Sequence, residues 1–186
     1  MTPLAALWLP MLISIVIVFV ASSIIHMAMP WHKNDYPAVP NQDAVADALR
    51  PYAIPPGDYM LPRGAGMADM KSPAFQDKMN RGPNIIMTVL PNGMTKMGPM
   101  FVQWTLFIAV VTLFAAYAGS RTLAPGVEYK AVFRIVSTVA FAGYALGEWP
   151  ISIWYRRGFA LAAKSTFDAL IYALLTAGVF GWLWPE

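Results

Sequence analysis

Four polar side chains that could do chemistry lie near the ends of long apolar runs in this sequence. They are His26, Glu148, Lys164 and Asp168. Because successive membrane helices run in opposite directions, these ends are expected to share one layer at a membrane surface. The four groups could form a proton or ion path there, or His26, Glu148 and Asp168 could hold a metal ion. We favour a polar network that fixes helix register, since Glu148 and Asp168 lie near helix ends that water can reach.

Methionine offers a second kind of chemistry, because eight of the twelve methionines lie between Met60 and Met100. Thioether sulfur and imidazole both suit Cu(I), so His26 with Met94, Met97 and Met100 is a candidate copper site. Methionine is also a common filler of irregular apolar contacts. Copper binding is therefore the minority hypothesis for these residues.

Histidine also bears on haem and chlorophyll-type pigments, which need one imidazole nitrogen in an apolar site. His26 ends an apolar run and could supply it, whereas His32 follows Pro30 and is expected among surface residues, apart from His26. A hydrogen bond from His26 to a neighbouring helix is the simpler interpretation. We predict no cofactor, with copper, haem or pigment through His26 as minority hypotheses.

Several classes of activity lack their usual residues. Cysteine is absent, which excludes disulfides, thiolate zinc sites and cysteine nucleophiles. There is no glycine-rich phosphate loop, nucleophile elbow or His-Glu-x-x-His motif. The thirteen basic residues form no run that would follow a phosphate backbone, so nucleic acid is not an expected partner. We predict that the protein is not an enzyme.

The elements that must position these residues are long apolar helices. Of the 186 residues, 58% are hydrophobic and 12% are charged, whereas about a quarter are charged in a soluble domain. A helix needs roughly 20 apolar residues to cross a bilayer. Four runs are long enough, at 4–29, 101–118, 132–154 and 165–184. The predicted fold class is an all-α integral membrane protein, a four-helix transmembrane bundle that makes 1–186 a single membrane domain in a lipid bilayer.

A proline-rich extramembrane segment, 30–99, separates the first two spans and holds eleven of the sixteen prolines. Asn41, with Pro51 as a stop, predicts one short helix, and Ser72 followed by Pro73 predicts another to about Asn80. Residues 54–66 are rich in proline and glycine, which predicts extended loop. Residues 84–97 predict a small hairpin around a turn at 91–93.

Small residues recur at four-residue spacing within the predicted spans. Such pairs let helix backbones approach closely where lipid provides no hydrophobic drive for association. The pairs are Ala115 with Gly119 in the second span, Gly143 with Gly147 in the third, and Ala177 with Gly181 in the fourth. The spacing predicts a compact bundle.

An even number of spans places both termini on the same side of the membrane. The opposite face then carries segment 30–99 and the connection at 154–164. Lys33, Arg81 and Lys96 lie near helix ends on that face and slightly favour a cytoplasmic position for it.

Four stretches resemble a family of bacterial four-helix inner-membrane proteins of similar length with no known activity: SSIIHMAMPWHKNDY, PPGDYM, VQWTLFIAVVTLFAAY and DALIYALLTAGVFGWLWP. The resemblance implies a four-helix protein of the bacterial inner membrane and implies no functional residue. The missing catalytic motifs, and a segment 30–99 too thin to build its own core, favour a non-catalytic subunit or scaffold that docks on other subunits of a larger membrane complex. The alternative is a small transporter or copper-handling protein that uses its His, Met and carboxylate side chains.

Overall fold

The computed structural model describes residues 1–186 and is mostly helical. The chain forms two compact units, one made of Met1–Tyr36 with Lys96–Glu186 and the other of Pro37–Thr95. The helices in chain order are α1 Trp8–Ser23, α2 Gln42–Leu49, α3 Met67–Met70, α4 Pro73–Arg81, α5 Met97–Thr122, α6 Tyr129–Ala145, α7 Glu148–Trp154 and α8 Phe159–Trp182. The strands are β1 Gly57–Leu61 and β2 Ile85–Val89.

The first unit contains four helical segments long and apolar enough to cross a membrane, which indicates a multi-pass membrane protein. They are Leu4–Ala28, Met97–Thr122, Tyr129–Trp154 and Phe159–Trp182. In the first segment a 3-10 turn precedes α1, and a π-helical turn, Ile24–Ala28, follows it. The third consists of α6 and α7, which a short turn at 146–147 separates.

Three of these helical segments begin earlier than the apolar runs predict, and the third does so by three residues, at Tyr129. The second begins at Met97 because Pro99 fits the first turn of a helix, where backbone N–H groups have no acceptor within the helix. The fourth begins at Phe159 and includes Lys164, whose charge is paired with Asp35 at 2.6 Å. A single charge in an apolar helix therefore does not mark its end here.

The four segments pack in a closed ring in chain order. α1 packs on α5 and α8, and α6 packs on the same two helices. The core between them combines a few large side chains with small ones that let the helices approach closely. Its fully buried members include Leu7, Val18, Ile108, Ala115, Val136, Ala140, Ala177 and Phe180.

Both termini lie at one end of the bundle, beside the turn between α5 and α6. The Thr2 backbone N–H donates to the carbonyl of Leu123 at 2.9 Å, and the Trp184 indole N–H donates to the carbonyl of Ala124 at 3.0 Å. Pro185 accepts from the backbone N–H of Gly126 at 2.9 Å. We call the opposite end, where residues 24–36 meet the start of α8, the loop end.

The second unit is thin. β1 and β2 form an antiparallel pair in which Gly57 faces Val89 and Leu61 faces Ile85. The Ser72 hydroxyl caps α4 by accepting from the backbone N–H of Phe75 at 3.1 Å, and Pro73 is the first helical residue, as predicted. No residue between Pro37 and Thr95 is buried. This unit therefore has no hydrophobic core.

The predicted hairpin at 84–97 is wrong in its pairing. Only its first half is a strand, β2, and the partner is β1, which the glycine and proline content had predicted to be extended loop. A cross-strand bond from the Thr88 hydroxyl to Asp58 Oδ1, 2.6 Å long, supports the observed register. The second half of the predicted hairpin leads directly into α5 at Met97.

Candidate functional site

A cluster of ionisable side chains lies at the loop end of the bundle. The loop-end cluster consists of His26, His32, Asp35, Lys164 and Asp168. His26 comes from the π-helical turn that ends the first span, and His32 from the 3-10 turn Pro30–His32 that follows it. Lys164 and Asp168 are one helical turn apart on α8. The chain after α1 thus folds back against the start of α8.

His32 is the centre of the cluster because both of its ring nitrogens contact carboxylates. Nδ1 lies 2.5 Å from Asp35 Oδ2, and Nε2 lies 2.8 Å from Asp168 Oδ2. The three side chains are largely buried, with 12% of His32, 9% of Asp35 and 4% of Asp168 exposed. Ionised carboxylates only accept hydrogen bonds, so both contacts are made at once when the His32 ring is protonated.

Lys164 completes the cluster by contacting Asp35 rather than Asp168. Its ammonium donates to Asp35 Oδ1 at 2.6 Å and to the backbone carbonyl of Trp31 at 2.9 Å. The hydrogen bond from Lys164 is the main reason why the pKa of Asp35 is lowered; the bond from His32 acts in the same direction, and burial opposes both. Asp35 is therefore held as a carboxylate between two donors.

His26 contributes a stacked ring rather than a hydrogen bond. Its ring centroid lies 4.2 Å from that of His32, with an angle of 22° between the planes. Ser14 and Ser22 of α1 are buried, but His26, four residues after Ser22, is exposed. The helix changes from α to π between them, at Ile24.

Asp168 opens a line of buried polar groups along α8. Asp168, Tyr172 and Thr176 are all buried, and the Tyr144 ring packs on the Tyr172 ring with centroids 5.6 Å apart. Asp168 Oδ1 and the hydroxyls of Tyr144 and Tyr172 have no hydrogen-bond partner. Asp168 Oδ1 is therefore a free hydrogen-bond acceptor beside His32. Leaving a buried polar atom unpaired costs free energy, so this oxygen favours a further partner.

The structure brings together three of the four residues predicted to form the polar layer. Lys164 and Asp168 join through His32 and Asp35, and His26 stacks on His32. Glu148, the first residue of α7, is partly exposed and makes no hydrogen bond or ion pair with the others. The expected metal set of His26, Glu148 and Asp168 is therefore replaced by a set with His32 in place of Glu148.

The expected separation of the two histidines is wrong, since their rings are in contact. Sequence reasoning placed His32 on the surface because Pro30 ends the apolar helix, and it gave Asp35 no role. The signal that could have found them was the buried carboxylate of Asp168 within an apolar helix, which needs a cationic or N–H partner. A histidine and an acid three residues apart in a tight turn are such partners.

The methionines of the candidate copper site have exposed side chains. Met97 and Met100 begin α5 with exposed side chains, 49% and 48%. Met94 belongs to the second unit and is 95% exposed.

The four residues predicted to pack helices together differ in how closely other atoms surround them. A Cβ on Gly143 would lie 2.9 Å from Val111 Cγ1, and one on Gly181 would lie 2.6 Å from the Tyr129 ring, so both glycines allow close helix contact. Ala177 is fully buried. Gly147 has no atom within 4 Å of its Cβ position and lies in the turn between α6 and α7.

Comparison with protein-family models, with curated proteins and with solved structures gives no match for this chain. The resemblance to a family of bacterial four-helix inner-membrane proteins therefore stays a prediction.

Proposed function

We propose that this chain is a non-catalytic subunit of a bacterial inner-membrane complex, and that its second unit, Pro37–Thr95, docks on another protein of that complex. The observation that carries the proposal is the absence of any buried residue in this unit. A two-stranded sheet with no core is marginal in water and needs a further surface for stability.

The composition of the exposed surface supports a protein partner. Apolar side chains project from every element of the second unit, including Val45, Leu49, Tyr52, Met60, Met67, Met79, Ile86 and Leu90. Methionine and aromatic side chains are enriched at protein interfaces because they adapt to irregular surfaces and bury much area. A protein partner would bury these side chains and supply the missing core.

The four long helices support insertion in a bilayer. In the most apolar 18-residue window of each, between 22% and 33% of the residues are buried inside the bundle. The rest of each window is free to face lipid. With both termini at one end, the loop end and its basic residues Lys33 and Lys96 lie on the opposite side, which we propose to be cytoplasmic.

Site-specific photo-crosslinking in living cells tests the docking proposal. A photoreactive residue at Tyr52 or Leu90, which are 75% and 65% exposed, should form an adduct with the same protein from both positions. The control is Phe114 in α5, 63% exposed on the apolar bundle surface, which should give no such adduct. Absence of a protein adduct from both Tyr52 and Leu90 would contradict the proposal.

A second candidate function is metal handling, as a small transporter or a metal-binding membrane protein. One observation favours it: ligand atoms of His26, His32 and Asp168 lie within 4.8 Å of one another at the loop end. The candidate therefore depends on imidazole and carboxylate ligands.

A further inference from the structure

We propose that His26, His32 and Asp168 together bind one divalent first-row transition metal ion at the loop end of the bundle. Each residue offers one ligand atom, and the three atoms lie within 4.8 Å of one another. This site rests on the loop-end cluster alone and is independent of the docking proposed for the second unit. It deepens the metal-handling candidate by naming the ligands and the class of ion.

The distance between the two buried ligands suits such an ion after a small movement. His32 Nε2 and Asp168 Oδ2 are 2.8 Å apart across a shared hydrogen bond. Zinc binds imidazole nitrogen and carboxylate oxygen at about 2.0–2.2 Å, which puts two ligands on a tetrahedral ion about 3.3–3.5 Å apart. The two atoms need to separate by roughly half an ångström as the ion replaces the bridging proton.

His26 supplies the third ligand by turning its ring. A ring nitrogen binds a metal in the plane of the ring, so the present stack on His32 must open for both rings to reach one ion. His26 is exposed, makes no hydrogen bond, and borders an open cavity of about 420 Å³ lined by residues 26–30, 32 and 33. The ring therefore has room to rotate.

Asp35 and Lys164 act as positioning residues for His32. Asp35 accepts from Nδ1, which leaves Nε2 as the nitrogen that faces Asp168, and Lys164 holds the other oxygen of Asp35. Metal-binding histidines almost always have such a carboxylate or carbonyl on the second ring nitrogen. The unpaired Oδ1 of Asp168 is a further oxygen within reach of the ion.

The donor set selects the class of ion. Two imidazoles and a carboxylate suit Zn²⁺, Fe²⁺ and Co²⁺, whereas Ca²⁺ and Mg²⁺ prefer oxygen ligands and Cu(I) prefers sulfur. The chain has two histidines and no cysteine, and both histidines belong to this site. Any other site on the chain that uses imidazole must therefore share a ligand with this one.

Metal titration of the intact chain tests the site. The protein is purified in mild detergent through a tag without histidine, treated with chelator, and titrated with Zn²⁺ by calorimetry and with Co²⁺ by visible absorption. We expect one ion per chain, with the intense colour of a low-symmetry Co²⁺ site. His26→Gln removes a ligand that makes no hydrogen bond in the fold, and it should weaken Zn²⁺ binding by at least about tenfold.

Three further results decide between a metal site and an ion-pair network that only holds the loop. Asp168→Asn should also weaken Zn²⁺ binding at least about tenfold, while Asp77→Asn, a change at an exposed acid of α4, should have no effect. Zn²⁺ should raise the Tm of the wild type and not that of His26→Gln. Wild-type protein that binds Zn²⁺ no more tightly than His26→Gln, or not at all, would overturn the proposal.

Discussion

His32 determines the chemistry of the loop end, because it is the only group that contacts both buried carboxylates. Its two ring nitrogens contact Asp35 and Asp168, which belong to segments far apart in the chain. Burying a carboxylate without a partner costs several kcal/mol, whereas a partnered one costs far less. His32 therefore fixes the turn after α1 onto the start of α8, whether or not a metal ion is bound.

A double-mutant cycle measures the coupling energy between His32 and Asp168. In the presence of chelator, His32→Ala should lower the free energy of unfolding by about 2–4 kcal/mol, because the buried Asp168 carboxyl loses its hydrogen-bond partner. The double variant His32→Ala with Asp168→Asn should recover part of this loss, with a coupling of about 0.5–3 kcal/mol. Chemical unfolding in detergent gives the four values. Strictly additive effects would show that the two side chains do not interact.

Among the helices, the close approach of α5 and α6 depends on Gly143, which has no side chain. A methyl group at Gly143 would lie 2.9 Å from Cγ1 and 3.3 Å from Cγ2 of Val111. Val111 is 6% exposed, and its β-branched side chain has little rotational freedom within a helix. Neither helix can give way without moving its backbone.

Gly143→Ala should therefore destabilise the bundle by about 1–2 kcal/mol, because the overpacking exceeds the helix propensity that alanine adds. The matched control is Gly178→Ala in α8, where the nearest atom to the new Cβ is the Tyr129 hydroxyl oxygen at 3.8 Å. That variant should be as stable as the wild type or slightly more so. Thermal unfolding in detergent compares the two, and equal stability of both variants would contradict the inferred close packing.

Elements differed in how well the sequence predicts them. The α4 helix follows directly from its own signals, a capping serine and a first-turn proline, and these act within four residues. The β1–β2 pair could not be predicted in the same way, because its register depends on contacts such as Asp58 with Thr88, 30 residues apart. The π-helical turn that carries His26 leaves no signal in the hydrophobic pattern.

For the molecule as a whole, the hydropathy pattern is sufficient to predict the four-helix bundle but not the loop-end cluster. Four long apolar helices follow from composition, and the adjacency of the last three in the ring follows from their short connections. The loop-end cluster arises because Pro30–Tyr36 folds back on α8, and no periodic pattern describes that return. In the sequence, only the need of the Asp168 carboxylate for a partner indicates the loop-end cluster.

The two units also differ in what stabilises them. The first has a core shared by four helices, and the second has no buried residue. A unit without a core opens locally at little cost in free energy. Its protection from proteolysis must therefore come from a contact outside it. The docking proposal therefore predicts that the behaviour of Pro37–Thr95 depends on its surroundings.

Limited trypsin cleavage tests this claim most directly. Arg63, Lys71, Lys78 and Arg81 are exposed cleavage sites in the second unit, and Arg156 between α7 and α8 is an exposed internal control. In native membranes opened to both faces, the four sites should be cut at least about tenfold more slowly than in the purified single chain, with Arg156 cut equally in both. Equal cleavage of the second unit in the two preparations would contradict the proposal that it docks on a partner.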